Sequence, residues 1–199
     1  NLCEKLISDN ITASCSNPIY SGLGQRAYIF NKSDITSITY DVDETTQEEN
    51  RFLLRALTMK TGAKGYKIQN LGSEPFSGTT SEMEQANMGN KFNHTFVFNN
   101  ENNDDTSAKV NTDIANGKFL VIFENDYEGA NGNGKFEVYG STKGCKCTGQ
   151  SQPKYSTDTN GANTITLQEA GSPFQSQFFA YQGNDDMTTE EYLDSLCQE

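Results

Sequence analysis

The chain has 199 residues and a formal net charge of −12. A chain of this length buries roughly 70% of its unfolded surface, so it can fold without a metal or a disulfide. Lys154 is the last basic residue, so the 45 residues after it contain no Lys or Arg. This argues against general nucleic-acid binding, because phosphate binding requires clustered Lys and Arg. No apolar run approaches the roughly 18 residues of a membrane span, so we expect no membrane contact.

The cysteines indicate reduced thiols rather than a disulfide framework. They are Cys3, Cys15, Cys145, Cys147 and Cys197, and an odd number argues against full pairing. A disulfide between Cys3 and Cys15 is an open alternative. A structural zinc site needs four ligands at recognisable spacing, and the chain has one histidine and no C-x₂-C pair. We therefore expect no metal and no cofactor.

The chain begins with an arm, two strands and an acidic loop. Leu2, Leu6 and Ile7 make residues 1–8 either one short helical turn or an arm. Residues 26–40 predict two strands around a break at 31–34. The following segment, 41–50, contains no basic residue and predicts a solvated loop. Its five carboxylates are Asp41, Asp43, Glu44, Glu48 and Glu49.

Residues 52–59 are ambiguous between a helix and a strand. Threonines at 45 and 46 followed by glutamates at 48 and 49 resemble a capping box, which favours a helix. The turn-like residues 60–65 lead into another apolar run at 66–71, which favours a β-hairpin. We predict the hairpin.

The middle of the chain contains one alternating strand, one helix and one fully apolar strand. Residues 92–98 place Phe92, His94, Phe96 and Phe98 on one face of a strand. Residues 106–116 predict a helix that is capped by Asp104 or Asp105 and ends at a left-handed Gly117. The run Lys118–Phe123 is apolar after its first residue, which is typical of a strand buried on both faces.

The last third of the chain adds further strands and a short helix. Glycines at 129, 132 and 134 predict a loop, from which 135–139 returns as the partner strand of Lys118–Phe123. Further strands are predicted at 144–149, 163–169 and 177–182. Thr188 and Glu191 form a capping box for a C-terminal helix.

The predicted fold is mainly β, a β-sandwich or barrel of about eight strands with one packed α-helix and a short C-terminal helix. We assign residues 1–199 to a single structural domain with an N-terminal arm at 1–8 and the C-terminal helix at 188–197.

The sequence offers no catalytic arrangement. Because the chain has one histidine, any Ser-His-Asp triad or Cys-His dyad must use His94. His94 shares a strand face with three phenylalanines, so it is better explained as a hydrogen-bonded core or interface histidine. The loop Asp126–Glu137 is acidic at both ends, like an EF-hand loop. However, its sixth position is Asn131 rather than glycine, so a hairpin loop is the better interpretation. We predict that the protein is not an enzyme.

Several segments carry a family resemblance. They are NLCEKLI at the start, Asn17-Pro18, AYIFNKSDI, KTGAKGYKI, ANGKFLVIFEN, GKFEVYG and TLQEAGSPF. Together they resemble the small virion proteins of tailed bacteriophages that infect Bacteroidota, and within that group the major tail tube subunit. The resemblance implies a virion protein that is assembled in the host bacterial cytoplasm and stacks as hexameric rings around a channel. The partners that the resemblance implies are copies of the same chain, other virion proteins, and passing DNA that the protein does not bind specifically.

In such a ring, strands of neighbouring subunits join edge to edge, which pairs their unpaired backbone groups. Negative charge on the lumen repels DNA over a Debye length of about 8 Å. The lumen candidates are Asp41, Asp43, Glu44, Glu48 and Glu49, or the loop of Asp126 and Glu128. The subunit-interface candidates are Leu2, Leu6, Ile7, Tyr192, Leu193 and Leu196.

Three alternatives stay open at this point. A capsid decoration protein or a head–tail connector would use the same fold without a lumen. A carbohydrate-binding or hydrolytic domain would require a concave aromatic cluster, with Tyr127 and Tyr139 beside two carboxylates.

Overall fold

The computed structural model describes residues 10–11, 20–183 and 186–198 of the chain. In this part the fold is mainly β, with eleven strands and two α-helices. The strands are β1 (Leu23–Asn31), β2 (Ile35–Val42), β3 (Glu49–Met59), β4 (Tyr66–Gln69), β5 (Thr80–Glu84), β6 (Lys91–Asn100), β7 (Lys118–Asn125), β8 (Phe136–Tyr139), β9 (Cys145–Ser151), β10 (Asn163–Ser172) and β11 (Gln177–Phe179). The helices are α1 (Asp105–Asn116) and α2 (Thr189–Ser195).

Strand β7 lies at the centre of the sheet. Strand β1 pairs with one of its edges, and β8 and β9 share the other. Outward from β8 the order is β11, β3 and β2, and outward from β9 it is β10, β6 and β5. All pairings are antiparallel except that of β11 with β3. The sheet is open and β-sandwich-like rather than closed into a barrel.

The two faces of β7 belong to two different hydrophobic clusters. Core 1 lies on the face of Val121 and includes β6, β10 and helix α1; core 2 lies on the face of Ile122 and includes β3, β11 and helix α2. Leu120, Val121 and Ile122 are all fully buried. The predicted burial of this strand on both faces is confirmed.

A sharp bend between β8 and β9 carries the chain from one side of the sandwich to the other. Gly140 in this bend has a φ of 86°, and a Cβ there would lie 2.3 Å from the carbonyl oxygen of Phe119. Only glycine fits both the left-handed backbone and this close approach. The bend lets β8 and β9 pair with successive parts of the same edge of β7.

The predicted hairpin between residues 52–59 and 66–71 is wrong in its pairing, although both segments contain strands. Strand β3 pairs with β2 and β11, whereas β4 pairs with β1. The connection turns away because Gly65 donates its N–H to the carbonyl oxygen of Leu196 at 2.8 Å. A Cβ at Gly65 would lie 2.3 Å from the ring of Phe30, so this approach also requires glycine.

Helix α1 begins as the sequence predicts and ends differently. The Asp104 carboxylate accepts the N–H of Ser107 at 2.7 Å, which is the N-cap bond. Gly117 has φ −92° and ψ 175°, so it is extended, and the prediction of a left-handed cap is wrong. The glycine is explained by packing instead, since a Cβ there would lie 2.1 Å from the Phe119 ring.

Helix α2 has the predicted capping box and packs on its own domain. Thr188 and Glu191 make both reciprocal bonds of the box. Leu193 is fully buried in core 2, and Tyr192 and Leu196 pack against the same cluster. The assignment of Leu193 to a subunit interface is therefore wrong. Packing on its own domain supplies the contacts that this seven-residue helix needs, because so short a helix is not stable in isolation.

Ion pairs and hydrogen bonds fix α2 in place. Glu190 contacts Arg26 of β1 at 2.9 Å and Lys135, which precedes β8, at 2.6 Å. The Tyr192 hydroxyl accepts the N–H of Leu57 at 3.1 Å and donates to the Leu57 carbonyl at 2.9 Å. Among the described residues, strand β3 pairs with β11 only at Leu53 and Leu54. The Tyr192 hydroxyl therefore takes the place of a strand partner for the backbone of Leu57.

We expect Val121→Ala and Ile122→Ala each to lower the free energy of unfolding by about 2–4 kcal/mol, because each deletes buried bulk from a different core. Denaturant unfolding measures the change. Val42→Ala is the control, since Val42 is 47% exposed. A loss under about 1 kcal/mol for either core variant would show that its face of β7 is peripheral.

We expect Tyr192→Phe to lower the free energy of unfolding by about 1–3 kcal/mol, because it leaves the Leu57 N–H and carbonyl without their hydroxyl partner. Tyr155→Phe is the matched control, since Tyr155 is fully exposed. Equal stability of the two variants would mean that the hydroxyl does not anchor the helix.

Candidate assembly surfaces

The acidic loop predicted at 41–50 forms the tip of the β2–β3 hairpin. Asp43 accepts backbone N–H groups from Thr45 and Thr46 at 2.8 and 2.9 Å, which shapes the turn. These two bonds hold the pKa of the exposed Asp43 carboxyl below its ordinary value. Glu44 and Glu48 are also exposed. The tip therefore presents negative charge to solvent.

Two of the five carboxylates in this hairpin have basic partners. Asp41 pairs with Arg55 at 2.8 Å, and Glu49 pairs with Arg51 at 3.3 Å. Both arginines belong to β3, so the charge of the hairpin stem is partly balanced. The unbalanced charge is concentrated at the tip.

The second acidic candidate, the loop of Asp126 and Glu128, lies at the other end of the sheet. It follows the last residue of β7, whereas the β2–β3 tip precedes the first residue of β3. Strand β3 is parallel to β11, β11 is antiparallel to β8, and β8 is antiparallel to β7. Strands β3 and β7 therefore run in the same direction. The structure therefore does not bring the two sets of lumen candidates together.

Among the described residues the sheet ends in free edges, which sequence patterns alone did not locate. In the described part of the chain, β2 pairs only with β3 and β5 pairs only with β6. Strand β4, which pairs only with β1, provides a third free edge within the same residues. A free edge presents unpaired backbone N–H and C=O groups that can pair with another chain.

The β2 edge has little protection against pairing. Its eight residues, ITSITYDV, contain no lysine and no proline, and the one charged residue, Asp41, is paired with Arg55. In the pairing of β2 with β3, the only bulged residue on β2 is Thr36. The other irregularities add residues to β3 and leave β2 uninterrupted. A continuous edge from Ser37 to Val42 therefore faces outward. The β5 edge, in contrast, carries the exposed Glu82 and Glu84.

The apolar arm candidates Leu2, Leu6 and Ile7 lie outside the described residues, as do Cys3 and Cys15. The other three cysteines are free thiols, and Cys145 is fully buried. Burial raises the pKa of the Cys145 thiol, which disfavours its reactive thiolate form.

His94 occupies a fully hydrogen-bonded site in the core. It is 1% exposed, its ring stacks on Tyr139 at 4.4 Å, and its Nδ1 lies 3.3 Å from Oε2 of Glu169. Its Nε2 lies 3.0 Å from the carbonyl oxygen of Phe174 and 3.1 Å from that of Gln175. The interpretation of His94 as a core histidine with hydrogen-bond partners is confirmed. Sequence analysis missed Glu169.

Glu169 is the buried carboxylate partner of His94. Its carboxylate accepts the N–H of Gly140 at 3.0 Å and that of Lys143 at 2.7 Å, one on each oxygen. Because both nitrogens of His94 face oxygens that only accept, the imidazole satisfies all its contacts when it carries both protons. Burial alone would raise the pKa of the Glu169 carboxyl, but the N–H donors of His94, Lys143 and Gly140 outweigh it and lower that pKa.

The described residues form neither a cluster of metal ligands nor the concave aromatic cluster that a sugar site would require. No group of three or more His, Cys, Asp and Glu side chains converges there as metal ligands would. Tyr139 is only 3% exposed and stacks on His94, so it forms no open platform. Tyr127 instead meets Tyr20 edge to face at 5.5 Å.

We expect Glu169→Gln to lower the free energy of unfolding at neutral pH by about 1–3 kcal/mol, because the amide nitrogen of Gln cannot accept the buried N–H groups that one of the two carboxylate oxygens accepts. The folded pKa of Glu169 lies below the ordinary value of 4.5, so its contribution is present above that pH and is lost as pH falls through the folded pKa. The stability difference between the two proteins should therefore shrink as the pH falls from 7 into the acid range. The exposed Glu82→Gln is the control, and a difference that does not change with pH would contradict this role of the carboxylate.

None of the helices in the described residues is long and apolar enough to cross a bilayer. Comparison of the chain with protein-family models, with curated proteins and with solved structures finds no match. The surfaces above are therefore interpreted from their own geometry.

Proposed function

We propose that this protein is a virion structural subunit of a tailed phage, the major tail tube protein, whose copies join into hexameric rings that stack around a DNA-conducting channel. The virion role and the number six come from the sequence resemblance. The observation that carries the assembly mechanism is the pair of free edges at β2 and β5, which end the same open sheet.

The directions of the edge strands favour their joining. The path from β2 to β5 contains eight pairings, one parallel and seven antiparallel. Because each antiparallel pairing reverses the direction and seven is odd, β2 and β5 run antiparallel to each other. If the ring axis runs along the strands, the rotation that relates neighbouring subunits leaves the strand direction unchanged. The β2 edge of one subunit then meets the β5 edge of the next in the antiparallel sense, which forms a regular ladder.

Charge distribution supports a channel that DNA passes without binding. The β2–β3 tip presents Asp43, Glu44 and Glu48, and the net charge of the chain is −12. Like-charge repulsion of phosphates would keep DNA from adhering to a lumen lined by these residues. The Asp126 and Glu128 loop is the alternative lining. Since it lies at the opposite sheet end and the rotation axis runs along the strands, the two sets would lie at opposite rims of the channel through a ring.

We expect electron microscopy of the purified protein to show six-fold rings or tubes. Thr39→Lys should abolish them while leaving the thermal midpoint unchanged, because Thr39 is an exposed residue of the β2 edge and a lysine there opposes strand addition. Thr148→Lys is the matched control, since it makes the same charge change at an exposed position of β9, an interior strand.

Other images would point to other roles. Rings that survive Thr39→Lys and Thr148→Lys equally would show that β2 is not the joining edge. Discrete monomers or small knobs in every condition would contradict the tube and favour the capsid decoration alternative. A single ring that never stacks would favour the head–tail connector.

A further inference from the structure

Three lysines lie side by side at the end of the sheet where β7 begins. Lys118 of β7 pairs directly with Lys146 of β9. Lys32 follows the last residue of β1 and lies beside Lys118, since a Cβ at Gly144 would be 3.3 Å from Cβ of Lys118 and 3.4 Å from Cγ of Lys32. Like charges that face each other destabilise a sheet. A counter-charge would therefore stabilise this lysine cluster of Lys32, Lys118 and Lys146.

No carboxylate among the described residues forms an ion pair with the lysine cluster. Lys118 and Lys146 are exposed, and Nζ of the partly buried Lys32 donates to the carbonyl oxygen of Ser141. Burial lowers the pKa of the Lys32 ammonium, so an anion beside it would stabilise the charged form. The chain has 27 Asp and Glu but only 15 Lys and Arg. Adjacent lysines without a carboxylate are unusual in such a chain and mark a surface for an acidic partner.

An acidic loop lies at the other end of β7. Asp126 directly follows the strand, is exposed, and has no basic partner among the described residues. Glu128 is exposed and lies 3.9 Å from Lys135, whose ammonium is closer to Glu190, at 2.6 Å. The N–H of Gly134 donates to the carbonyl oxygen of Glu128 at 2.7 Å, which helps to fix the shape of the loop. Loop 126–135 therefore presents excess negative charge at a defined position.

We infer that loop 126–135 of one copy binds the lysine cluster of a second copy, with Asp126 and Glu128 as the partners of the lysines. This inference rests on the self-assembly proposed above and names the contact by which copies stack. The loop of the same chain is out of reach, because the eight-residue strand β7 separates Lys118 from Asp126 by roughly 26 Å. An ion pair requires the charged atoms to lie within about 4 Å of each other.

Shape and direction fit a head-to-tail contact. Loop 126–135 projects beyond the paired residues of β7 and β8. At the other end, β9 continues to Ser151 past the pair of Lys118 with Lys146, which leaves a step in the sheet beside the lysine cluster. Copies in the same orientation that are displaced along β7 place the loop of one copy at the step of the next. Such a contact propagates instead of closing on itself as a dimer.

This contact also decides between the two acidic sets that are candidates for the lumen. If the ring axis runs along the strands, the contact connects successive rings, whereas the β2 and β5 edges connect subunits within a ring. Loop 126–135 is then engaged by lysines of the next ring. The β2–β3 tip is left as the acidic surface that faces the passing DNA.

Zero-length cross-linking with a carbodiimide tests the contact directly, because it joins a lysine to a carboxylate only when the two touch. Unlabelled and ¹⁵N-labelled copies are mixed, so that mass spectrometry separates links between chains from links within one. We expect links between chains from Lys118 or Lys146 to Asp126 or Glu128, at a yield at least about five-fold above that of the exposed Lys109. No link, links only within one chain, or links from the cluster to the β2–β3 tip would overturn the inference.

Charge exchange provides a second test. The double variant Lys118→Glu with Lys146→Glu, and the double variant Asp126→Lys with Glu128→Lys, should each weaken self-association at least about ten-fold, because like charges then meet at the contact. An equimolar mixture of the two should regain wild-type association to within about three-fold. In the mixture each loop meets a cluster of opposite charge on the other variant. Sedimentation velocity measures the association, and a mixture no stronger than its components would contradict the pairing.

The control for charge alone is Lys109→Glu with Lys154→Glu, which makes the same charge change at exposed lysines outside the cluster and should leave association unchanged. If only the lysine variant loses association, the cluster binds another anion and the inference is wrong. Neither test requires rings. Cross-links between chains without rings would support this contact and contradict the ring, whereas rings without these links would overturn the contact and leave the proposed function standing.

Discussion

Strand β7 has large apolar side chains on both faces, and covering both of them is the constraint on which the fold depends. Phe119, Val121 and Phe123 point into one core, and Leu120 and Ile122 point into the other. A strand buried on two sides needs two layers, one on each face. Helix α1 with β6 and β10 supplies one layer, and helix α2 with β3 and β11 supplies the other. The Gly140 bend makes this possible, because it lets one continuous stretch of chain serve both layers.

The same constraint explains why the free edges lie where they do. Both edges of β7 are occupied, so the sheet grows outward from β1, β8 and β9, and in the described part of the chain it ends at β4, β2 and β5. A closed barrel would have no such ends. Because the terminal strands β2 and β5 run antiparallel to each other, such an open sheet can continue into a neighbouring molecule. The proposed joining of copies by β-strand addition would follow from how the core is covered.

Polar groups within this core are paired in ways that fix the positions of elements distant in sequence. The His94–Glu169 pair joins β6 to β10 and, through backbone N–H groups, holds the chain after the Gly140 bend. The ion pairs of Arg26 and Lys135 with Glu190 hold helix α2 against β1 and the start of β8. The His94–Glu169 contact is buried and costly to leave unpaired, so it discriminates against alternative packings, whereas the partly exposed pairs of Glu190 contribute less.

The sequence by itself determined features that depend on neighbouring residues: the β7 run, the alternation along β6, an aspartate cap of α1 at 104 or 105, and the capping box of α2. It also indicated that His94 is a core residue. It did not determine that β4 pairs with β1, that Glu169 is the partner of His94 from 75 residues away, or that Leu193 closes its own core rather than a neighbour's. Local patterns record which faces are apolar, because burial is imposed residue by residue. Which faces meet is decided only when distant segments compete for the same partner, and that competition takes place in the folded chain.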